Sequence, residues 1–462
     1  MATDDHGFAT EQVHGGFVPD TAHGARVPAV HMSSGFLFDD FDQARDRFAG
    51  TDDGYTYTRL GNPTNADVER RIALLERGLE AILVSSGQAA ATVAFLGLLQ
   101  AGDHVVSARS IYEGTRGLLV QNLGRLGIEV DFVADARDLD AWAAAVRPNT
   151  KAFFAETIPN PKNDVLDITG VAEAAHRAGV PLVVDNTLAT PYLVRPIEFG
   201  ADIVIHSASK FLSGHGSGLG GVVVDGGSFD WSATPGRWTH LTTPERALGG
   251  RSYVEAYGAR AWVVYARDVV SSRIGPTPSP FNAFLLRQGI ETLSLRVERH
   301  SANALAVAAF LDQQPEVTSV DHAGLASSPF HDLAERYLPR GAGSVFAFTL
   351  AGGEPAARAF IDAVQLFSRM THLGDVRSLI LHPATTTHAG RTPEERAAQG
   401  IGDGLIRLSI GIEDVADLVR DLERGFAAVR GDADREARLD PAAELTSLGH
   451  TVPGQHVIAE EI

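Results

Sequence analysis

The sequence predicts an α/β protein in which a large, mainly parallel sheet is followed by a smaller α+β domain. Three observations lead there. Between residues 80 and 225, short apolar runs rich in β-branched residues alternate with helical patterns, the repeat of a parallel sheet with helices on both faces. Polar residues gather directly after several of these runs, at the carboxyl edge where open α/β sheets take their ligands. After Pro276-Thr277-Pro278-Ser279-Pro280 the pattern gives way to one long helical stretch and then to shorter elements.

Taken in order, residues 1–65 read as an N-terminal arm, rich in Gly, Asp, His and Thr and with little periodicity. Thr64 followed by Asp67 predicts a capping box, and Val68, Ile72, Leu75 and Leu79 give the helix behind it one apolar face. Residues 81–84 read as a strand, followed by Ser85-Ser86-Gly87-Gln88 and an Ala-rich helix to about Gln100. Further strands are expected over 104–107, 128–133, 151–156, 181–185, 201–207 and 221–225, with a helix over 168–178. Together these form a large domain over 66–280. A helical pattern from Phe281 to about Gln313 opens a second domain over 281–430. The segment 431–462 is polar and interrupted by Pro441 and Pro453; it reads as a tail, either flexible or packed on a neighbour.

Composition narrows the function. A chain of 462 residues suggests about two or three domains, and a hydrophobic share of 44% supports an ordinary core. Its 39 basic and 58 acidic residues leave a net charge of −19, which repels phosphate backbones and anionic membranes, so neither nucleic acid nor membrane is an expected partner. There is no cysteine, which removes disulfides, thiolate metal sites and thiol nucleophiles together. No apolar run approaches the ~20 residues of a membrane span, and the first residues lack the basic and apolar regions of a signal peptide. A soluble, cytoplasmic protein is the expectation.

The candidate chemistry centres on Ile203-Val204-Ile205-His206-Ser207-Ala208-Ser209-Lys210. A lysine just past a buried strand can be desolvated and lose its proton, as a Schiff-base lysine must; a lysine that simply closes a loop is the competing reading. Ser86-Gly87-Gln88, between a strand and a helix start, offers a phosphate cradle, although strand–Gly–helix turns are also common. Asp185 ends a buried strand, where a carboxylate needs a cationic partner. A protonated pyridine nitrogen would serve, and so would a structural arginine or a turn. Tyr112 follows another strand end, placed to stack on a heterocycle or move a proton, or simply to pack. Tyr57 and Arg59 lie in the arm and could reach a phosphate, including one on another subunit. Arg407 lies in the apolar run 404–411, and its fork would suit a substrate carboxylate or an internal salt bridge.

Two patterns are set aside. Gly216-Ser217-Gly218-Leu219-Gly220-Gly221 matches a dinucleotide fingerprint but precedes a strand-like run rather than a helix. His382 and His388 flank Pro383 with no acidic companion, so no metal site is expected.

Together these residues resemble the Cys/Met-metabolism family of pyridoxal-phosphate enzymes, which has the fold-type-I, aspartate-aminotransferase-like architecture. The likeness runs from about Phe8 to Gly425. It rests on Tyr57-x-Arg59-x-x-Asn62-Pro63-Thr64, Ser85-Ser86-Gly87, Val184-Asp185-Asn186-Thr187 and Ser207-Ala208-Ser209-Lys210, in the family's order. The resemblance implies pyridoxal 5'-phosphate as cofactor, bound by the 66–280 domain and held as a Schiff base by Lys210. It implies Asp185 against the pyridine nitrogen, Tyr112 stacked on the ring and Asn160 near the ring hydroxyl. Ser86, Gly87, Gln88, Ser207 and Ser209 would hold the phosphate, with Tyr57 and Arg59 of a neighbouring subunit. Arg407 would take the substrate carboxylate. A dimer would then be the least active unit, and the family is usually tetrameric.

Within the family, stretches 279–284, 288–299, 337–344 and 374–388 are similar to the members that exchange the acetate of O-acetyl-L-homoserine for sulfide. Lys210 and Tyr112 are the acid–base candidates for that reaction, which yields homocysteine for methionine biosynthesis. A cystathionine γ-synthase or methionine γ-lyase reaction is the alternative within the family, and a non-catalytic binding protein of the same fold the alternative outside it. The chain departs from the family at Pro159 and Glu113, where glycine is usual, and over 228–252. Gly114 stands where methionine γ-lyases carry cysteine.

Overall fold

The computed structural model of the protein describes residues 6–431. Residues 1–5, and 432–462 with nearly all of the expected tail, lie outside the described residues.

Seven strands form the larger sheet: β1 (Glu80–Val84), β2 (His104–Ala108), β3 (Glu129–Val133), β4 (Thr150–Glu156), β5 (Leu182–Asp185), β6 (Ile203–His206) and β7 (Gly221–Asp225). Their order across the sheet is β1-β7-β6-β5-β4-β2-β3. The pairs from β6 through β3 are parallel, while β7 runs antiparallel to both its neighbours. The exception has a plain cause. Parallel neighbours need a crossover, and the segment between β6 and β7 contains no helix, so the chain turns straight back. That return loop carries Lys210. The central strands are covered on both faces, with Val183, Val184, Ile203 and Val204 fully buried, which is why they read as unbroken β-branched runs rather than alternating ones.

Helices α1 (Phe8–His14) and α2 (Phe41–Ala49) interrupt the arm that showed little periodicity. The α2 helix buries none of its residues, and its Phe41 and Phe48 are exposed. Helix α3 (Pro63–Glu76) begins differently from the expected capping box. Asn62 is the N-cap, accepting from the Thr64 N–H at 2.9 Å, with Pro63 at the first turn. The Thr64 hydroxyl instead accepts from the His31 N–H at 2.9 Å, and Asp67 is turned to Arg287 at 3.2 Å. Leu79 lies beyond the left-handed cap at Arg77 and is exposed, not part of the buried face. Helix α4 (Gly87–Leu96) follows β1 and ends before the expected Gln100.

The expected single helix over 281–313 is two, Pro280–Ile290 and Leu293–Asp312. At the break, Arg296 donates to the Phe211 carbonyl (2.8 Å) and the Gly289 carbonyl (2.5 Å), fastening the helix pair to the segment just after Lys210. Leu286, Ile290, Leu293 and Val297 pack in the larger sheet's core, whereas Val307, Ala308 and Leu311 pack in a second one. The change of core therefore falls within one helix. The second core faces a five-stranded sheet of order β10-β11-β12-β9-β8. Its strands are β8 (Val317–Asp321), β9 (Val345–Leu350), β10 (Ser368–Arg369), β11 (Leu379–Leu381) and β12 (Leu405–Ser409). Among the described residues no helix is long and apolar enough to cross a membrane.

Candidate active site

Three adjacent strands end together. Glu156 closes β4 and pairs in register with Asp185, which closes β5 and pairs with Ile205 of β6. The chain then runs through Ser207 and Ser209 to Lys210. In front of these ends lies a cavity of about 650 Å³ lined by Ser86, Gly87, Gln88, Tyr112, Asn160, Asp185, Ser207, Ser209, Lys210 and Arg407. The sheet and its loops thus bring ten of the expected residues around one space.

Lys210 is largely enclosed. Burial, with the nearby Arg407 charge, pushes its amine down to about 8, so a neutral amine is accessible near neutral pH, as a nucleophilic lysine requires. Its Nζ lies 3.2 Å from His372 Nδ1. Burial, followed by the Lys210 charge, brings His372 down to about 4, so that imidazole is neutral. Asp185 is set by Thr187, whose N–H and hydroxyl both donate to Oδ1, at 2.9 and 2.5 Å. Enclosure raises the Asp185 carboxyl, against the pull of the Thr187 bonds. Enclosure and then the Asp185 charge raise Glu156 well above the ordinary range. Two enclosed carboxyls side by side do not readily both ionise. A proton on Glu156 leaves Asp185, with its two donors, as the charged member. Glu156 also accepts from the Tyr112 N–H at 2.5 Å, so one carboxyl ties the aromatic residue to the acid.

The anion cradle is at the start of α4. Ser86 caps the helix by accepting from the Ala89 N–H at 3.1 Å. The N–H groups of the first turn have no helical carbonyl to meet and point outward with the positive end of the dipole. Gly87 is required by close approach. A Cβ there would lie 2.6 Å from Ser207 Cβ and 2.8 Å from Ser207 Oγ, so the helix start and the lysine loop share a pocket that any side chain would fill. The Ser209 hydroxyl is engaged with Gly220, donating to its carbonyl and accepting from its N–H at 3.2 and 3.1 Å. Ser209 therefore also fixes the loop that bears the lysine.

Tyr112 is half exposed over the cavity. Its ring lies across Gly114, where a Cβ would meet Tyr112 Cε1 at 2.4 Å. Arg407, on β12, comes from the second sheet. Its Nη2 donates to the Thr371 and His372 carbonyls (3.3 and 3.1 Å) and its Nη1 to Asn160 Oδ1 (3.4 Å). Its Nε is buried and has no partner. Burial lowers its guanidinium to about 10, leaving it charged at neutral pH.

Tyr57 and Arg59 are the two expected residues that do not line this space. The Arg59 guanidinium lies over the Tyr57 ring and donates to the Ser272 carbonyl. Arg59 lines a separate cavity with Glu69 and Arg267. Glu156 and His372 were not singled out from the sequence. Glu156 could have been, since it ends a strand in register with Asp185. His372 carries no local signal, because only the packing of the second sheet brings it to the lysine. His382 is bonded to Thr385 Oγ1 and to the Asp403 carbonyl, and His388 to Thr387 Oγ1. Gly221 opens strand β7, so the glycine-rich run before it leads into a strand and not a helix.

A lysine with a depressed pKa, a carboxylate at the neighbouring strand end and a phosphate-sized cradle at a helix start together define a fold-type-I pyridoxal-phosphate-dependent enzyme. The residues fit that cofactor, since the space Gly87 leaves open would suit its anionic end and the fixed Asp185 carboxylate its cationic one. The comparisons agree. The chain belongs to the Cys/Met metabolism PLP-dependent enzyme family, whose model matches residues 9–427. It is 48% identical over 433 residues to the O-acetyl-L-homoserine sulfhydrylase of Corynebacterium glutamicum, covering 92% of this chain and 98% of that protein. It is 42% identical over 427 residues to the homocysteine synthase of Schizosaccharomyces pombe, covering 92% and 99%. A solved structure from Campylobacter jejuni, described as an O-acetylhomoserine (thiol)-lyase, superposes with a TM-score of 0.87 at 34% identity, covering 91% of this chain and 99% of that one; it carries a pyridoxyl-lysine-5'-monophosphate at position 205.

Proposed function

We propose that the chain catalyses a γ-replacement in which O-acetyl-L-homoserine and sulfide give L-homocysteine and acetate. The near-full-length likeness to the Corynebacterium sulfhydrylase carries the substrate assignment; the site supplies the chemistry. The bound cofactor provides an electron sink for carbanions next to the substrate's amine. Lys210, its amine neutral above about pH 8, removes the proton from Cα and returns it at the end. The Tyr112 hydroxyl, over the same space, is the second proton carrier, serving Cβ. The Cγ–O bond breaks as acetate leaves, and the Cγ–S bond forms as hydrosulfide adds. The Arg407 guanidinium receives the substrate carboxylate and holds it while bonds change at the other end of the molecule.

Asp185 would pair with the ring nitrogen, Asn160 with the ring hydroxyl, and Ser86, Gly87, Gln88, Ser207 and Ser209 would hold the phosphate. Tyr57 and Arg59 reach the phosphate of a neighbouring subunit, in a cytoplasmic homotetramer whose 66–280 domains bind cofactor and whose 281–430 domains close the sites. Two observations support the shared site: Arg59 stands clear of its own chain's cavity, and the arm exposes Leu37, Phe41 and Phe48 at 93, 83 and 77%, apolar surface that a second copy would cover. The net charge of −19 supports small-molecule rather than nucleic-acid partners. Gly114 stands where γ-lyases carry a cysteine, which favours replacement over elimination. Assays crossing O-acetyl- and O-succinyl-homoserine with sulfide, cysteine and methanethiol test the reading. Homocysteine from the acetyl ester and sulfide is expected to form fastest. Faster cystathionine formation from cysteine, or 2-oxobutyrate release without a thiol, would replace it with the γ-synthase or γ-lyase reaction.

A further inference from the structure

His206 has no part in the site described so far, yet it is bound with care. Its ring is fully buried, and Nε2 lies 2.6 Å from Oε1 of Glu76, the equally buried last residue of α3. The same Glu76 oxygen accepts from Asn186 Nδ2 at 2.9 Å, and Asn186 Oδ1 accepts from the Thr157 hydroxyl at 2.9 Å. His206 ends β6, while Asn186 and Thr157 directly follow β5 and β4. One polar network therefore ties three adjacent strand ends to the end of a helix, with His206 Nδ1 and Glu76 Oε2 left without partners. Successive side chains alternate across a sheet, so this network lies on the face opposite Asp185 and Glu156.

Its members are peptide-bond neighbours of the groups that orient Asp185. Ser207, next after His206, donates its N–H to the Thr187 hydroxyl at 2.7 Å. Thr187, next after Asn186, donates its own hydroxyl to Asp185 Oδ1. Any positive charge on the His206 ring also favours the ionised form of Asp185. A buried carboxyl–imidazole pair is seldom the cheapest way to fill a core, because apolar side chains of similar volume often match or exceed the stability of buried polar and ionic groups. Something other than folding is the better reason for its presence.

We propose that Glu76 and His206, joined through Asn186, are positioning residues for Asp185: from the reverse side of the sheet they fix the ends of β5 and β6, so that the Ser207 amide and the Thr187 hydroxyl hold the Asp185 carboxylate in place for the ring nitrogen. This rests on the role given above to Asp185. The test is to replace both partners by leucine, Glu76→Leu with His206→Leu, and to titrate the apoprotein with pyridoxal 5'-phosphate alongside its melting temperature. The pair is expected to melt near the wild-type temperature yet bind the cofactor at least ~10-fold more weakly. Wild-type affinity in a folded leucine pair overturns the proposal. Should that variant not fold, a double-mutant cycle of His206→Asn and Thr187→Val asks the same question. Losses of affinity short of additive support the linkage, and losses that simply add refute it. Asp185→Ala, measured beside them, separates the two ideas. Wild-type affinity there removes the role of Asp185 itself, whereas a loss there with none in the leucine pair removes only the network.

Discussion

Lys210 has to be neutral to act and yet sits a short distance from a guanidinium. Both facts push in one direction, since burial and the Arg407 charge each disfavour its ammonium form. The folded amine titrates near 8, below the ordinary 10.5, so its neutral fraction grows as pH rises through 8. The rate at which the apoprotein captures pyridoxal 5'-phosphate should climb across that pH and level off above it, and Arg407→Ala should move the midpoint upward. A stopped-flow profile with no rise near pH 8 would refute the assignment. Lys210→Ala is expected to abolish turnover, and near-wild-type turnover in that variant would end the case for it as catalyst. Glu156→Gln, in which an amide stands in for a protonated acid and can still accept from the Tyr112 N–H, should keep most cofactor affinity, whereas Glu156→Ala should lose it; titration of both apoproteins checks this. Most of these side chains were legible because strand ends collect function. Glu156 was visible on the same logic and passed over. His372 was not visible at all, since its partner is 162 residues away and the pairing exists only once two sheets have packed.

At the scale of elements, the strands were the most readable. Val183-Val184 and Ile203-Val204 are buried on both faces, and continuous β-branched runs are what such burial selects. Helix ends were less so. The Thr64–Asp67 pattern fits a capping box, but Asn62 two residues earlier took the cap, because Pro63 already fixes the first helical position. Asn62→Ala should therefore cost about 1 kcal/mol, measured by denaturant unfolding. The break near Glu291 was hidden because its cause is tertiary: Arg296 must reach the Gly289 carbonyl before it and the Phe211 carbonyl of the segment after Lys210. Arg296→Met would leave those carbonyls without that donor and should destabilise the apoprotein by about 1–3 kcal/mol. An unchanged denaturation midpoint would show that the fastening is not needed.

Across the whole molecule, the proposed site draws on more than one chain. If Arg59 serves a neighbouring subunit, then Lys210→Ala and Arg59→Ala proteins, each inactive or nearly so, should regain activity when unfolded together and refolded. One intact site forms in each mixed dimer, giving on the order of a quarter of wild-type turnover for random pairing. No recovery would confine each site to one chain. Within a chain the two sheets also divide the labour. Lys210 sits on a loop pinned at both ends by neighbouring strands of the larger sheet, while Arg407 belongs to the smaller sheet and its separate core. The two will not fail together on warming. Loosening between the cores would first cost the grip on the amino acid, while the coloured cofactor stayed attached to its strand-tethered loop. A partly heated sample should thus remain yellow after it has stopped recognising its substrate.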